Sequence, residues 1–79
     1  MAPSWNVERK MRHAFALKHG FTVHSNEVEW DVDIESRISF TWIYYIKGNK
    51  FKLRYWYATG MITRYHYEDG LEVEDDEEE

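Results

Sequence analysis

A strict alternation of acidic and apolar residues in EVEWDVDIE, residues 27–35, constrains the fold of this chain more than any other feature. The acids of this segment are Glu27, Glu29, Asp31, Asp33 and Glu35. Successive side chains of a β-strand point to opposite faces of a sheet, so the pattern predicts one buried apolar face and one exposed acidic face. We therefore expect a sheet that carries five carboxylates in a row on its outer face.

The period of two continues to residue 67 and predicts further strands. We expect five strands, at residues 21–25, 27–35, 38–47, 50–58 and 61–67. They would be joined by short loops at Ser25-Asn26, Ser36-Arg37-Ile38, Gly48-Asn49 and Ala58-Thr59-Gly60. With these loops the apolar residues of neighbouring strands fall on one common face, which favours an antiparallel meander.

Residues 5–19, before the first predicted strand, show the spacing of a helix. Val7, Met11, Ala14 and Phe15 recur every three or four positions, and Gly20 is typical of the residue that follows a helix. The predicted fold class is α+β, with one N-terminal helix packed on the inner face of a five-stranded antiparallel β-meander. The length of 79 residues allows a single domain, which we place at residues 1–68.

The last segment, DGLEVEDDEEE at residues 69–79, is strongly acidic. Residues 68–79 hold nine acids and no basic residue. Acids at this density repel one another and favour solvated, unpaired chain. Residues 69–79 are therefore predicted to be a disordered acidic C-terminal tail.

Composition excludes several kinds of stabilisation and several locations. The chain has no cysteine, so neither a disulfide nor a thiolate metal site can support it. No apolar run approaches the roughly 18 residues of a membrane span, and the N-terminus lacks the apolar core of a signal peptide. These features predict a soluble protein of the cytoplasm.

Three interpretations of the acidic row compete. The carboxylates could simply keep an aromatic-rich sheet from aggregating. They could instead bind the basic groove of a nucleic-acid-binding protein, because regularly spaced carboxylates resemble a phosphate backbone electrostatically. A metal site is disfavoured, because a strand spreads these acids over about 27 Å whereas Ca²⁺ and Mg²⁺ need converging oxygens. No cofactor is predicted.

A second surface is basic and aromatic. Residues 36–67 hold six basic residues and no acid. The predicted register places Lys52, Arg54, Trp56 and Arg64 on the outer face, where cations and rings together could bind single-stranded nucleic acid. The acidic half of one copy could also meet the basic half of another and form a two-fold homodimer.

Catalysis has little support in the sequence. The chain contains no nucleophile elbow and no Gly-rich phosphate loop. The four histidines, His13, His19, His24 and His66, are predicted on different faces or on opposite edge strands. The chain is therefore predicted not to be an enzyme.

The segments EVEWDVDIE and EVEDDEEE, in so short a cysteine-free chain, resemble phage-encoded inhibitors of the DNA-mimic and anti-CRISPR type. The resemblance lies in size and charge pattern. It implies a stoichiometric inhibitor that acts in the bacterial host cytoplasm and occupies the basic groove of a CRISPR or other defence effector. Glu27, Glu29, Asp31, Asp33 and Glu35 would then be the partner-binding residues.

Overall fold

The computed structural model describes residues 5–75 and shows one helix packed on one antiparallel sheet. The helix is α1 (Trp5–His19), and the strands are β1 (Val28–Glu35), β2 (Ser39–Ile46), β3 (Asn49–Trp56), β4 (Ile62–Glu68) and β5 (Leu71–Glu74). The strands pair in sequence order, each antiparallel to the next. The predicted fold class, a helix on a five-stranded antiparallel meander, is confirmed.

The strand predicted at residues 21–25 is wrong, because this segment forms turns. The Ser25 amide donates to the Thr22 carbonyl at 3.1 Å, and the amides of His24 and Glu27 donate to the hydroxyls of Thr22 and Ser25. Ser and Thr side chains offer the backbone local partners in place of a strand ladder. Phe21 and Val23 nevertheless pack against the core, so the segment covers one end of the sheet.

The fifth strand comes from the segment that was predicted as tail. Asp69 and Gly70 both have positive φ, 54° and 79°, and make the two-residue turn that joins β4 to β5. Asp-Gly is a preferred sequence for such a hairpin turn. Beyond this turn, the apolar Leu71 and Val73 alternate with acids, which is the pattern of a strand. The predicted tail residues 76–79 lie outside the described residues.

Aromatic packing attaches α1 to the sheet. The buried helix residues are the predicted ones, Val7, Met11, Ala14 and Phe15. Phe15 lies at the centre of the contact, with its ring centroid 5.0 Å from that of Tyr44 and 5.2 Å from that of Trp30. Edge-on and tilted ring pairs at these distances add to the gain from burying the rings. The face of the sheet that α1 covers is called the helix side below, and the opposite face is the outer face.

The last residue of α1 is a half-buried histidine that bonds to the core. The Nε2 atom of His19 lies 2.9 Å from the hydroxyl oxygen of Tyr44, and its ring packs edge-on against Phe51. Burial, assisted by the charge of Lys18 and opposed by that of Asp75, lowers the pKa of His19 to about 4. Burial also raises the pKa of Tyr44. Both side chains are therefore neutral near pH 7.

Stability should fall in mild acid because of His19. Its pKa rises from about 4 in the folded chain to 6.5 on unfolding, so protons favour the unfolded chain as pH falls from 6.5 toward 4. We expect the free energy of unfolding of the wild type to drop more than that of His19→Gln between about pH 7.5 and about pH 5, measured by urea titration. Equal drops in both proteins would contradict this assignment.

Candidate functional site

Strand β1 forms one edge of the sheet and contains a β-bulge that interrupts its alternation. Trp30 pairs with Tyr44, but Val32 pairs with Ile43, so Asp31 is an extra residue between them. Directly paired residues of antiparallel strands share a face. Trp30 therefore points to the helix side, and Val32 points to the outer face. A bulge of one residue exchanges the faces of every residue beyond it.

The bulge shows that the predicted single row of carboxylates is wrong. Glu29 pairs with Tyr45 on the outer face, whereas Asp33 pairs with Trp42 and Glu35 with Phe40 on the helix side. Asp31 lies at the bulge, and Glu27 lies in the turn before β1. The prediction assumed that the strict alternation in the sequence continued unbroken through the strand.

Two local structures with different registers produce the bulge. Near the β1–β2 loop, the Ser36 amide donates to the Ser39 carbonyl at 2.9 Å, and the Ser36 hydroxyl accepts from the Ser39 amide. This closed loop places Glu35 opposite Phe40. At the other end, buried Val28 lies opposite Ile46, one residue out of step with the loop end. The extra residue Asp31 takes up the difference.

The five carboxylates nevertheless all lie along one edge of the sheet, in β1 or in the turn before it. All five residues are exposed, and they span about 27 Å at the usual strand rise. The set Glu27, Glu29, Asp31, Asp33 and Glu35 is called the acidic edge below. Among the described residues, no basic side chain pairs with Glu27, Glu29, Asp31 or Asp33. The acidic edge presents carboxylates toward both faces of the sheet.

On the helix side, the acidic edge continues toward α1. Asp33 lines a hollow of about 160 Å³ together with Val23, Trp30 and Trp42. Burial, and then the charge of Glu8 in the first turns of α1, raise the pKa of Asp33. Glu35 accepts a hydrogen bond from the hydroxyl of Tyr57 at 3.1 Å. Glu8 of the helix therefore adds to the negative potential around Asp33.

On the outer face, β1 carries two apolar side chains that were predicted to lie in the core. Val32 is 38% exposed and Ile34 is 46% exposed. They pair with Ile43 and Thr41 of β2, so an apolar strip runs beside the carboxylates. An apolar centre with a charged rim is typical of protein-binding surfaces. No signal in the sequence marks these two residues, because their spacing matches that of buried strand residues.

The predicted basic and aromatic surface is divided between the two faces. Lys52, Arg54 and Trp56 lie on the outer face of β3, as expected from their partners in β2. Arg64 was predicted on the outer face and lies on the helix side instead. The reason is that it pairs with Leu53, whose side chain points to the helix side. The β3–β4 loop sets this register, with the Gly60 amide bonded to the Trp56 carbonyl and the Trp56 amide to the Met61 carbonyl. The observed pairing of β3 with β4 is shifted by one residue from the predicted pairing. A shift of one residue exchanges the two faces of β4.

The cations of the outer face are held by the protein itself. Lys52 is only 6% exposed, with its ammonium 4.4 Å from the ring centre of Tyr65 and 2.6 Å from Glu72 Oε1. The guanidinium of Arg54 lies 5.0 Å from the ring centre of Trp56, and its Nε donates to the Thr41 hydroxyl. Phosphates and bases would have to displace these contacts. The geometry therefore favours the acidic edge over this face as a binding surface.

At the opposite side of the sheet, Asp75 and Glu68 contact basic groups. Asp75 forms an ion pair with Lys18 and accepts a hydrogen bond from His66, which also contacts Glu68 at 2.8 Å. Burial by itself would raise the pKa of Asp75, but the bonds to Lys18 and His66 lower this pKa below its usual value. Hydrogen bonds to Glu68 and Asp75 raise the pKa of His66. These pairings give Asp75 and Glu68 a structural role, and no such pairing with a basic side chain of the described residues involves Glu27, Glu29, Asp31 or Asp33.

Two further findings limit the kinds of site available in residues 5–75. Nowhere in that range do three or more His, Cys, Asp or Glu side chains come together in a way that could hold a metal ion. The described part of the chain also contains no helix that is both long and apolar enough to cross a membrane.

The register of β1 predicts a small loss of stability for one apolar substitution in this strand and a larger loss for another. Because Ile34 lies half exposed on the outer face, Ile34→Thr should change the free energy of unfolding by less than about 1 kcal/mol. Val28→Thr, at a buried position of the same strand, is the matched control and should cost about 2 kcal/mol or more. Urea titration of both variants tests this. A larger loss of stability for Ile34→Thr than for Val28→Thr would contradict this register and favour a strand without the bulge.

Comparison with models of protein families, with curated proteins and with solved structures finds no match for this chain.

Proposed function

We propose that this protein is a stoichiometric binding protein whose acidic edge occupies a basic groove of a nucleic-acid-binding partner, such as a CRISPR or other bacterial defence effector. The observation that supports this most is the contrast between two groups of acids. Asp75, Glu72 and Glu68 pair with basic side chains of the chain itself. No basic residue among those described pairs with Glu27, Glu29, Asp31 or Asp33.

Unpaired carboxylates along one strand repel one another. Neighbours on the same face lie about 7 Å apart, where two unit charges repel by about 0.6 kcal/mol in water before screening. A cationic partner would remove this repulsion and gain attraction in its place. Complementary charge of this kind accelerates association and makes it weaken as salt increases.

The two-sided arrangement suits a groove better than a flat surface. Glu29 points to the outer face, while Asp33 and Glu35 point to the helix side. An edge inserted into a groove would therefore meet basic residues on both walls. Exposed Val32 and Ile34 would supply the apolar contact that charge pairs alone do not give.

A simpler role for the same acids is protection of an open sheet edge. Charged residues on an edge strand prevent it from pairing with other chains. Protection needs no partner, and it depends little on which acid is replaced. Binding to a groove instead requires acids at this edge in particular, which provides the means of distinguishing the two roles.

Reversing charge at the middle of the acidic edge should abolish inhibition of the partner. We expect the wild type to inhibit nucleic-acid cleavage by at least one member of a panel of purified CRISPR and other defence nucleases at equimolar ratio. Asp31→Lys with Asp33→Lys should remove this inhibition, because two cations would face a basic groove.

The matched control is Glu68→Lys with Glu74→Lys, which makes the same change of net charge at the opposite side of the sheet. This control should still inhibit. Full inhibition by the Asp31/Asp33 variant, equal loss in both variants, or no inhibition of any effector by the wild type would overturn the proposal.

Direct binding of single-stranded nucleic acid by the outer face is the alternative function. The observation in its favour is that the guanidinium of Arg54 lies 5.0 Å from the ring centre of Trp56, which places a cation beside a ring on which a base could stack. Fluorescence anisotropy with labelled oligonucleotides at low and physiological salt tests it. Binding that Arg54→Glu with Trp56→Ala removes would favour this alternative, and absence of binding by the wild type would reject it.

A further inference from the structure

A cleft on the helix side of the sheet, away from the acidic edge, has no role in the function proposed above. It has a volume of about 650 Å³ and opens between α1 and the beginning of β4. Strands β2 and β3 separate it from β1. Small-molecule sites in proteins have volumes of about 300–1,000 Å³, so the cleft is large enough for one organic ligand.

The rim of the cleft is basic, although the chain as a whole has a net charge of −5. Arg9, Lys10 and His13 come from α1, and Arg64 comes from β4. No acid is among the residues that line the cleft in the described part of the chain. Arg9 and His13 are four positions apart on a helix and so lie on the same face. Basic groups of two elements therefore converge on one opening.

The lining between these basic groups is apolar. Ala14, Met61 and Ile62 form it, and Met61 is 62% exposed. A ligand that covers this methionine would gain free energy, because it would remove apolar surface from water. The cleft thus combines an apolar surface with a cationic rim.

The turn between β3 and β4 brings further donors close to the cleft. A Cβ atom placed on Gly60 would lie 3.7 Å from both Lys10 Nζ and the Tyr55 hydroxyl, so both groups lie beside this turn. Lys10 also lies over the ring of Tyr55, 5.8 Å from its centre. The ammonium of Lys10 thus lies beside the opening.

We propose that this cleft binds a small organic phosphate, with its phosphate group at the basic rim and its apolar part against Met61 and Ile62. Arginine and lysine together provide several charged donors, which match the several oxygens of a phosphate better than a single carboxylate. A bare inorganic ion would leave the apolar lining exposed. The ligand class is therefore a phosphate ester with an aromatic or aliphatic body.

The three methionines allow a direct test by NMR of protein labelled with ¹³C at the methionine methyl groups. Met61 lines the cleft, while Met11 is buried in the core and reports that the fold is intact. Phenyl phosphate, inorganic phosphate and phenol are titrated separately as probes. Phenyl phosphate should shift the Met61 signal to saturation at lower concentration than inorganic phosphate or phenol, and should leave Met11 unchanged.

Charge reversal on α1 provides the variants. Lys10→Glu should weaken phenyl phosphate binding by about tenfold or more. Arg12→Glu makes the same change of charge on the same helix but outside the cleft lining, and should bind like the wild type. An unmoved Met61 signal, tighter saturation by phenol than by phenyl phosphate, or equal binding by both variants would overturn the proposal.

Discussion

The contact between Phe15 of α1 and the rings of Tyr44 and Trp30 determines the rest of the structure. It buries the helix on the sheet, and it requires Trp30 to point to the helix side. The indole nitrogen of Trp30 donates to the Val23 carbonyl at 2.8 Å, which keeps the preceding turns against the same core. With Trp30 fixed in this way, the hydrogen-bonded loop at Ser36 can close only if β1 contains an extra residue.

That extra residue, Asp31, determines how the charges are presented. Without the bulge, one face of β1 would be uniformly acidic and the other apolar. With the bulge, carboxylates and apolar side chains appear on both faces of the acidic edge. Elsewhere in the described sheet, Glu72 and Asp75 form ion pairs with Lys52 and Lys18. The packing of one aromatic ring is thus connected to the surface that we propose for partner binding, because packing sets the register of the strand.

Periodicity in the sequence was sufficient for the fold class and insufficient for the faces of single strands. The helical spacing of Val7, Met11 and Phe15 predicted α1 correctly, since burial on a helix depends only on local spacing. The β2–β3 turn lies at Lys47-Gly48 rather than at Gly48-Asn49, which moves the pairing by two residues and leaves each face unchanged. A shift of one residue, as at Asp31 and in the β3–β4 loop, exchanges the faces. Such shifts depend on loop hydrogen bonds and core packing, which the alternation does not encode. The Asp69-Gly70 turn, in contrast, is a preferred hairpin sequence and could have been predicted, but the tail was predicted from the charge of the segment.

The register of β1 is the central claim, because the two-sided acidic edge follows from it. The most direct measurement is the pattern of cross-strand nuclear Overhauser effects between β1 and β2 in the uniformly labelled protein. The structure predicts contacts between the backbones of Asp33 and Trp42 and of Ile34 and Thr41. Contacts of Val32 with Trp42 and of Ile34 with Phe40 in their place would contradict it, because they would return all five acids to one face of the sheet.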